Sequence, residues 1–462
     1  MSYLGKKGYS LYKEKLTPKQ LNNIRNDLNV KPYSTHLTQC NSYPIFRESK
    51  TKIYLPRYYG AEHYGPYETN ILNEGEQIDI EFKGELFDYQ HKIIDKYLNH
   101  VGKSGGGLLD VEPGKGKTVM ALNIISKLKK KTLVVVHKSF LMSQWMERIE
   151  QFLPGTKVGR IQGDHIDIEG KDIVLGMLQS LSSKLYESST WDSFGLCVFD
   201  ECHHLSAEVF SNIMINIVCN YNLGLSGTMT RKDGLTKVFK YFIGPVIHKE
   251  KTDISVNVNV KKIHYDHDDL FDNVKKDFKG NPLYSCMISA LCACKSRSDF
   301  LVRIVKKEFE QNPNQQMMIL AHNKCLIQEL YECIQLFEPS VGFYLGGMKE
   351  HLLKESESKK IIIATYAMAS EGLDIKTLTT LFMATPKSDV CQSVGRILRS
   401  KHATPLVIDI VDPHAVFINQ SKKRNAYYSK KKYNIETFLN SNQYFRNECV
   451  VSSFIKPCFI KI

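Results

Sequence analysis

Two short clusters in this sequence carry residue types suited to chemistry. The first is Glu112-Pro113-Gly114-Lys115-Gly116-Lys117-Thr118, which follows the run Gly107-Leu108-Leu109-Asp110-Val111 and precedes a helix-like pattern over 118–129. A strand, a glycine-rich turn and a helix start bring inward-facing N–H groups and the positive end of a helix onto a phosphate. Gly114, Lys115 and Gly116 would shape that turn, Lys117 would reach the β- and γ-phosphates of a nucleotide, and the Thr118 hydroxyl would ligate Mg²⁺. Val111 stands where the full phosphate-loop pattern has its first glycine, and a bare Gly-Lys-Thr also arises by chance. The second cluster is Asp200-Glu201-Cys202-His203, closing the apolar run Leu196-Cys197-Val198-Phe199. There Asp200 suits holding Mg²⁺ through its water shell, and Glu201 suits orienting and deprotonating an attacking water. A plain acidic turn at a strand end is the alternative. His203 and His204 have no matching Cys/His group nearby, so chelation by them is not expected.

The elements that must position these clusters follow from the hydrophobic pattern. Strands are predicted over 132–136, 172–176, 196–200 and 222–226, with helices between them over 118–129 and 140–152. A second alternating set has strands over 317–321, 341–345, 360–365, 378–384 and 405–411. Strands alternating with helices imply a parallel sheet covered on both faces. The expected fold is α/β, with two tandem parallel-sheet lobes. The expected organisation is an N-terminal accessory domain over 1–85, a first lobe over 86–250, a linker and small insertion over 251–295, a second lobe over 296–416 and a basic tail over 417–462. The tyrosines Tyr54, Tyr58, Tyr59, Tyr64 and Tyr67 lie among Pro and Gly and read either as small-domain core or as a base-stacking surface.

Composition narrows the class. The 462 residues are 42% hydrophobic and 24% charged, which suits a globular chain rather than a fibrous or disordered one. Lys and Arg number 62 against 49 Asp and Glu, a net charge of +13 that favours an anionic partner such as nucleic acid. Much of the excess falls in 421–462, where nine Lys/Arg face two Asp/Glu and Lys422-Lys423-Arg424 and Lys430-Lys431-Lys432 flank Tyr427 and Tyr428. Basic residues interleaved with aromatics can neutralise phosphates and stack on bases; a solvated basic helix is the other reading. No apolar run approaches the ~20 residues needed to cross a bilayer, and Met1 to Lys7 lead into no signal-like segment, so a membrane partner is not expected. Twelve cysteines without Cys-x-x-Cys spacing read as reduced thiols of an intracellular compartment.

In order along the chain, these motifs resemble those of superfamily 2 helicases of the DExH kind. Leu86-Phe87-Asp88-Tyr89-Gln90 is similar to the glutamine-bearing adenine motif, and Glu112 to Thr118 to motif I. Val134 to Lys138 through Gln144-Trp145 resembles motif Ia. Gly176 to Leu181 resembles the next strand-end motif, Asp200 to His203 motif II and Leu225-Ser226-Gly227-Thr228 motif III. In the second lobe Met318 to His322 resembles motif IV, Ala364-Thr365 through Glu371-Gly372-Leu373-Asp374-Ile375 motif V, and Gln392 to Arg399 motif VI. Thr230-Arg231-Lys232-Asp233-Gly234 is similar to the duplex-DNA translocase branch containing XPB and UvsW, although Lys232 departs from the Arg-Glu-Asp of XPB. The 405–433 stretch also resembles helicases of large cytoplasmic DNA viruses, the group that includes the poxvirus transcript-release helicase.

The resemblance implies two RecA-like lobes that bind ATP and Mg²⁺. It implies that Gln90 serves the base, that Arg396 and Arg399 act on the γ-phosphate from one helical face, and that Asp374 contacts ribose or the other lobe. His137, Lys138, Gln179, Ser180 and Thr365 are implied contacts to nucleic acid, and His203, Ser226 and Thr228 are implied to couple the two ligands. The implied partner is DNA, with RNA or an RNA–DNA hybrid as the alternative, together with transcription or replication machinery. A viral origin would place the protein in host cytoplasm, virus factory or virion. Oligomeric state is left open.

Overall fold

The computed structural model describes residues 2–33, 41–112, 114–184, 186–201, 207–227, 234–249, 257–266, 275–278, 280, 282–371, 375–398, 405–449 and 451–453. The chain forms two compact units, Met1–Glu250 and Lys251–Ile462.

The first unit is built on an eight-stranded sheet among the described residues. Its spatial order is His165–Ile166, Val158–Gln162, Ile173–Met177, Thr132–Val136, Leu196–Phe199, Tyr221–Ser226, Gly106–Asp110 and Val246–Lys249. Every pairing is parallel except that of His165–Ile166. Thr132–Val136 reads Thr-Leu-Val-Val-Val because both of its faces are covered. Leu133 and Val135 join the core on one face, while Val134 and Val136 join the core on the other. Register sets Phe199 opposite Val135, Met177 opposite Val136 and Ser226 opposite Asp110. The residues that follow these strands therefore emerge along one edge of the sheet.

Among the described residues before the first lobe, a five-stranded sheet forms, with a core continuous with one face of that lobe. Tyr9, Ile53 and Leu55 pack in the same cluster as Phe210 and Phe239. The tyrosine-rich stretch serves this junction. Tyr59 is buried against Tyr241 and donates to Asp27 Oδ2 at 3.1 Å. Tyr58 donates to the Ser104 carbonyl at 3.0 Å. Buried Arg57 donates to the Asn220 carbonyl at 2.7 Å and to the Tyr67 hydroxyl at 3.0 Å.

The second unit holds another eight-stranded sheet among the described residues. Its order is Val341–Tyr344, Ile361–Thr365, Met317–Ala321, Thr380–Met383, Leu406–Val411, Asn259–His264, Asn434–Phe438 and Val451–Ser453, parallel except for the last pairing. Two expectations are corrected here. The 251–295 segment is not simply a linker with a helical insertion, because Asn259–His264 is an internal strand between Leu406–Val411 and Asn434–Phe438. The 417–462 segment is not a peripheral basic tail either. Helix Ala415–Lys430 and strand Asn434–Phe438 complete the lobe.

The reason lies in which basic residues face inward. Arg424 is 1% exposed and grips Asp409 through Nε at 2.8 Å and Nη2 at 2.6 Å, while Nη1 donates to the Lys387 carbonyl at 2.7 Å. Tyr428 donates to Asp409 Oδ2 at 3.1 Å, and both Tyr428 and Tyr433 are buried. The aromatics interleaved with the basic run are thus largely core, and Lys422, Lys423, Lys430 and Lys432 form its exposed face. A second buried pair, Arg297 to Asp412 at 2.6 and 2.9 Å, ties helix Lys295–Gln311 to the same strand end.

Removing one partner of a buried ion pair strands the other charge and typically costs about 3–5 kcal/mol. Arg424→Ala should lower unfolding free energy by about that amount, whereas Lys422→Ala should stay within about 0.5 kcal/mol of wild type. Denaturant unfolding of both variants checks this, and an Arg424→Ala protein as stable as Lys422→Ala would contradict it.

Candidate functional site

The phosphate loop joins strand Gly106–Asp110 to helix Lys117–Leu128. Gly114 and Gly116 take φ of 84° and 76°, a left-handed region that disfavours side chains. The Val111 N–H donates to the Ser226 carbonyl at 2.9 Å, fixing the start of the loop against the neighbouring strand. Its far side is braced from helix Asp88–Ser104. Gln90 is 3% exposed, its Nε2 donates to the Lys115 carbonyl at 3.1 Å and its Oε1 accepts from the Phe87 N–H at 3.0 Å. The Tyr89 hydroxyl also donates to the Lys115 carbonyl, at 3.1 Å. A Cβ on Gly116 would lie 2.4 Å from Gln90 Nε2, so a side chain there would push the Gln90 amide away from the loop.

Lys117 opens the helix and is 8% exposed, with Nζ 3.0 Å from Glu201 Oε1. Glu201 follows strand Leu196–Phe199 and Asp200, with a left-handed φ of 47° that turns the chain at the strand end. Asp200 is 6% exposed, and its N–H donates to the Val135 carbonyl at 3.1 Å. Trp145, on helix Ser139–Phe152, donates its indole N–H to Asp200 Oδ2 at 2.8 Å. Burial pushes the Asp200 carboxyl up to about 6, reinforced by the neighbouring Glu201 charge and opposed by the Trp145 hydrogen bond, Lys117 and His137. This site gathers hydroxyl, carboxylate and ammonium groups beside a loop of backbone N–H donors, a set suited to a nucleotide triphosphate. The described residues contain no group of three or more His, Cys, Asp or Glu placed to hold a metal by themselves. Mg²⁺ needs no such cage, since it keeps several waters and takes one or two protein oxygens plus phosphate, as Thr118 and Asp200 would offer.

Other predicted residues lie along the same sheet edge. Gln179 is exposed and donates to the His137 carbonyl at 3.1 Å. His137 and Lys138 are half-buried, and Lys138 precedes helix Ser139–Phe152. Ser180 is buried, and its Oγ accepts from the Gly163 N–H at 2.8 Å, so it braces a turn in this structure. Ser226 is fully buried at the end of its strand.

In the second unit Thr365 ends strand Ile361–Thr365, and its Oγ1 accepts from the Met368 N–H at 3.4 Å. Arg396 is 6% exposed and donates through Nε to the Ala369 carbonyl at 2.7 Å, joining the motif VI segment to helix Tyr366–Glu371. The expectation of one helical face carrying both arginines involves Arg399, which lies outside the described residues. Helix Cys391–Val394 stops before Arg396, and tighter turns follow in which Arg396 N–H donates to the Ser393 carbonyl and Ile397 N–H to the Val394 carbonyl. His203, Thr228, Asp374 and Arg399 lie outside the described residues. Sequence reasoning did not assign roles to Trp145, Tyr89 or Arg424. Trp145 was visible only as part of motif Ia, with nothing in its spacing to tie it to Asp200.

With this geometry, the chain is a nucleotide-hydrolysing protein of the two-lobed RecA-like class. Residues 83–231 match the family model described as type III restriction enzyme, res subunit. The protein L396 of Acanthamoeba polyphaga mimivirus, which carries the name of an ATP-dependent RNA helicase, is 35% identical over 450 residues, covering 94% of this chain and 86% of its own. XPB2 of Sulfurisphaera tokodaii, named a DNA 3'-5' translocase, is 25% identical over 410 residues, covering 80% of this chain and 91% of its own. The structure of S. cerevisiae Dbp5 bound to RNA and ADP BeF3 shares the fold, with a TM-score of 0.54 at 13% identity over 77% of this chain and 91% of Dbp5. The chain belongs to the superfamily 2 helicases of the type III restriction res-subunit type, related to helicases of large DNA viruses and to XPB. It is an ATP-dependent helicase or translocase, and thus an ATP hydrolase.

Gly116→Ala should weaken ATP binding about tenfold or more, because a left-handed φ costs an L-residue roughly 1–2 kcal/mol and the added methyl displaces Gln90. Equilibrium titration with a fluorescent ATP analogue checks this; wild-type affinity in a folded variant would contradict it.

Proposed function

We propose that the protein is a DNA-directed translocase that uses ATP hydrolysis to move along, or open, a duplex during viral transcription, replication or repair. The observation that carries this is the relationship to the XPB2 translocase over 80% of the chain. The Arg-Lys-Asp-Gly run after motif III supports the same branch. An RNA-directed helicase is the second reading, favoured by the name of the mimivirus relative.

In this reading Gly114, Lys115 and Gly116 wrap the phosphates, Lys117 exchanges its Glu201 partner for the γ-phosphate, and Gln90 serves the base while bracing the loop. Glu201, released from Lys117, orients and deprotonates the attacking water. Thr118 and Asp200 would hold Mg²⁺, which supplies charge neutralisation on the β- and γ-oxygens when bound. Arg396 and Arg399 stabilise the charge that develops on the transferred phosphoryl group, a role worth about 10³–10⁵ in rate. Asp374 contacts ribose or the other lobe. His137, Lys138, Gln179 and Thr365 contact the nucleic-acid backbone, with Ser180 supporting them by bracing the Gly163 turn, so binding should be weakly sequence-selective and sensitive to salt. His203, Ser226 and Thr228 link the two ligands. Transcription or replication machinery in the host cytoplasm is the proposed setting.

ATPase activity measured with duplex DNA, single-stranded DNA and RNA tests the substrate. Stimulation by duplex DNA that fades as salt rises is expected; stimulation by RNA alone would overturn the DNA reading. In the same assay Lys117→Ala should abolish hydrolysis, and Glu201→Gln should slow turnover about 10²–10⁴-fold. Wild-type turnover by Glu201→Gln would remove Glu201 from the role given to it.

A further inference from the structure

Trp145 is 1% exposed, on the inner side of helix Ser139–Phe152 among the apolar residues that cover one face of the first-lobe sheet. An indole offers one donor and no acceptor, and a buried N–H needs a partner. The partner here is Asp200 Oδ2, at a 2.8 Å separation typical of a bond to a charged acceptor. Asp200 is thereby held twice: its backbone by the Val135 carbonyl and its carboxylate by the indole. The titratable groups that face it are Glu201, Lys117 and His137. Any buried acceptor, a backbone carbonyl included, would satisfy that N–H; here the acceptor is the side chain of an acidic residue 55 positions away in sequence.

We infer that Trp145 is a positioning residue for Asp200, its indole N–H fixing Oδ2 so that Oδ1 is the oxygen presented to the Mg²⁺–nucleotide. This rests on the reading of Asp200 as the holder of Mg²⁺ proposed above. A cation that keeps most of its water and takes one protein carboxylate depends on that carboxylate being preset, and loss of such an outer partner typically weakens metal affinity about 10–100-fold. Trp145→Phe keeps an aromatic ring in the same core and removes the donor.

The chain contains two tryptophans, Trp145 and Trp191. Trp191 packs against Tyr186 and Phe194, so Trp191→Phe leaves Trp145 as the sole indole emitter. In that full-length variant, Trp145 emission should change when Mg²⁺ and ADP are added together and not when ADP is added with EDTA. In a second arm, Mg²⁺ is titrated into ADP-saturated Trp145→Phe protein, with heat of binding as the readout. Apparent Mg²⁺ affinity should fall about 10–100-fold, with ADP affinity in EDTA unchanged. Should Trp145→Phe fail to fold, the emission arm decides, and emission indifferent to Mg²⁺ overturns the proposal. Wild-type Mg²⁺ affinity in folded Trp145→Phe also overturns it. Asp200→Asn separates the two readings. If Asp200→Asn loses Mg²⁺ affinity while Trp145→Phe keeps it, only the Trp145 role fails; if Asp200→Asn keeps it as well, the Asp200 reading fails too.

Discussion

A buried ammonium held 3.0 Å from a half-buried carboxylate is the interaction on which the first lobe's candidate site turns. Lys117 and Glu201 come from different segments, one opening a helix and the other closing a strand. Burial makes either charge costly without the other, so the pair constrains both segments at once. In the proposed reading the pair is also a switch of partners: a phosphate entering the glycine loop would compete for Lys117, and the displaced carboxylate would become available to water. The contact between Lys117 and Glu201 would then give way and release the base when substrate arrives.

Parallel register makes that contact reachable. Asp110, Val136, Met177, Phe199 and Ser226 end their strands along one edge, so loop residues far apart in sequence emerge side by side. The second unit uses a comparable edge but secures it with two fully buried arginine–aspartate pairs, on Asp409 and Asp412. Arg424 reaches from helix Ala415–Lys430 to strand Leu406–Val411 and to the Lys387 carbonyl, so that helix helps hold a loop that precedes motif VI. Basic residues here divide by burial: Arg424 builds the lobe, and Lys422 and Lys423 remain at its surface.

The central strands were legible in the sequence because both of their faces are buried, which leaves uninterrupted apolar runs such as Thr132–Val136 and Met317–Ala321. The placement of Lys117 and Thr118 at a helix start, and of Asp200 and Glu201 after a strand, was legible because each pair sits in a contiguous motif whose local geometry follows from its own residues. Strands that carry polar side chains were not. Val158–Gln162 includes Arg160 and Gln162, and Asn259–His264 includes Lys261 and Lys262, so neither shows the pattern of a covered strand. The basic segment was misread for a related reason: within Lys422-Lys423-Arg424 nothing local shows that only the third turns inward. Contacts made across the fold, such as Trp145 with Asp200 or Gln90 with the Lys115 carbonyl, leave no signature in spacing at all.

The partner exchange at Lys117 is most directly tested by the equilibrium dissociation constant for ATP, compared between wild type and Glu201→Gln under conditions where neither turns over. Neutralising Glu201 removes both the competitor for Lys117 and a like charge beside the phosphates, so the variant should bind ATP more tightly. Affinity equal to or weaker than wild type in a folded variant would show that Lys117 is not the group the phosphate captures.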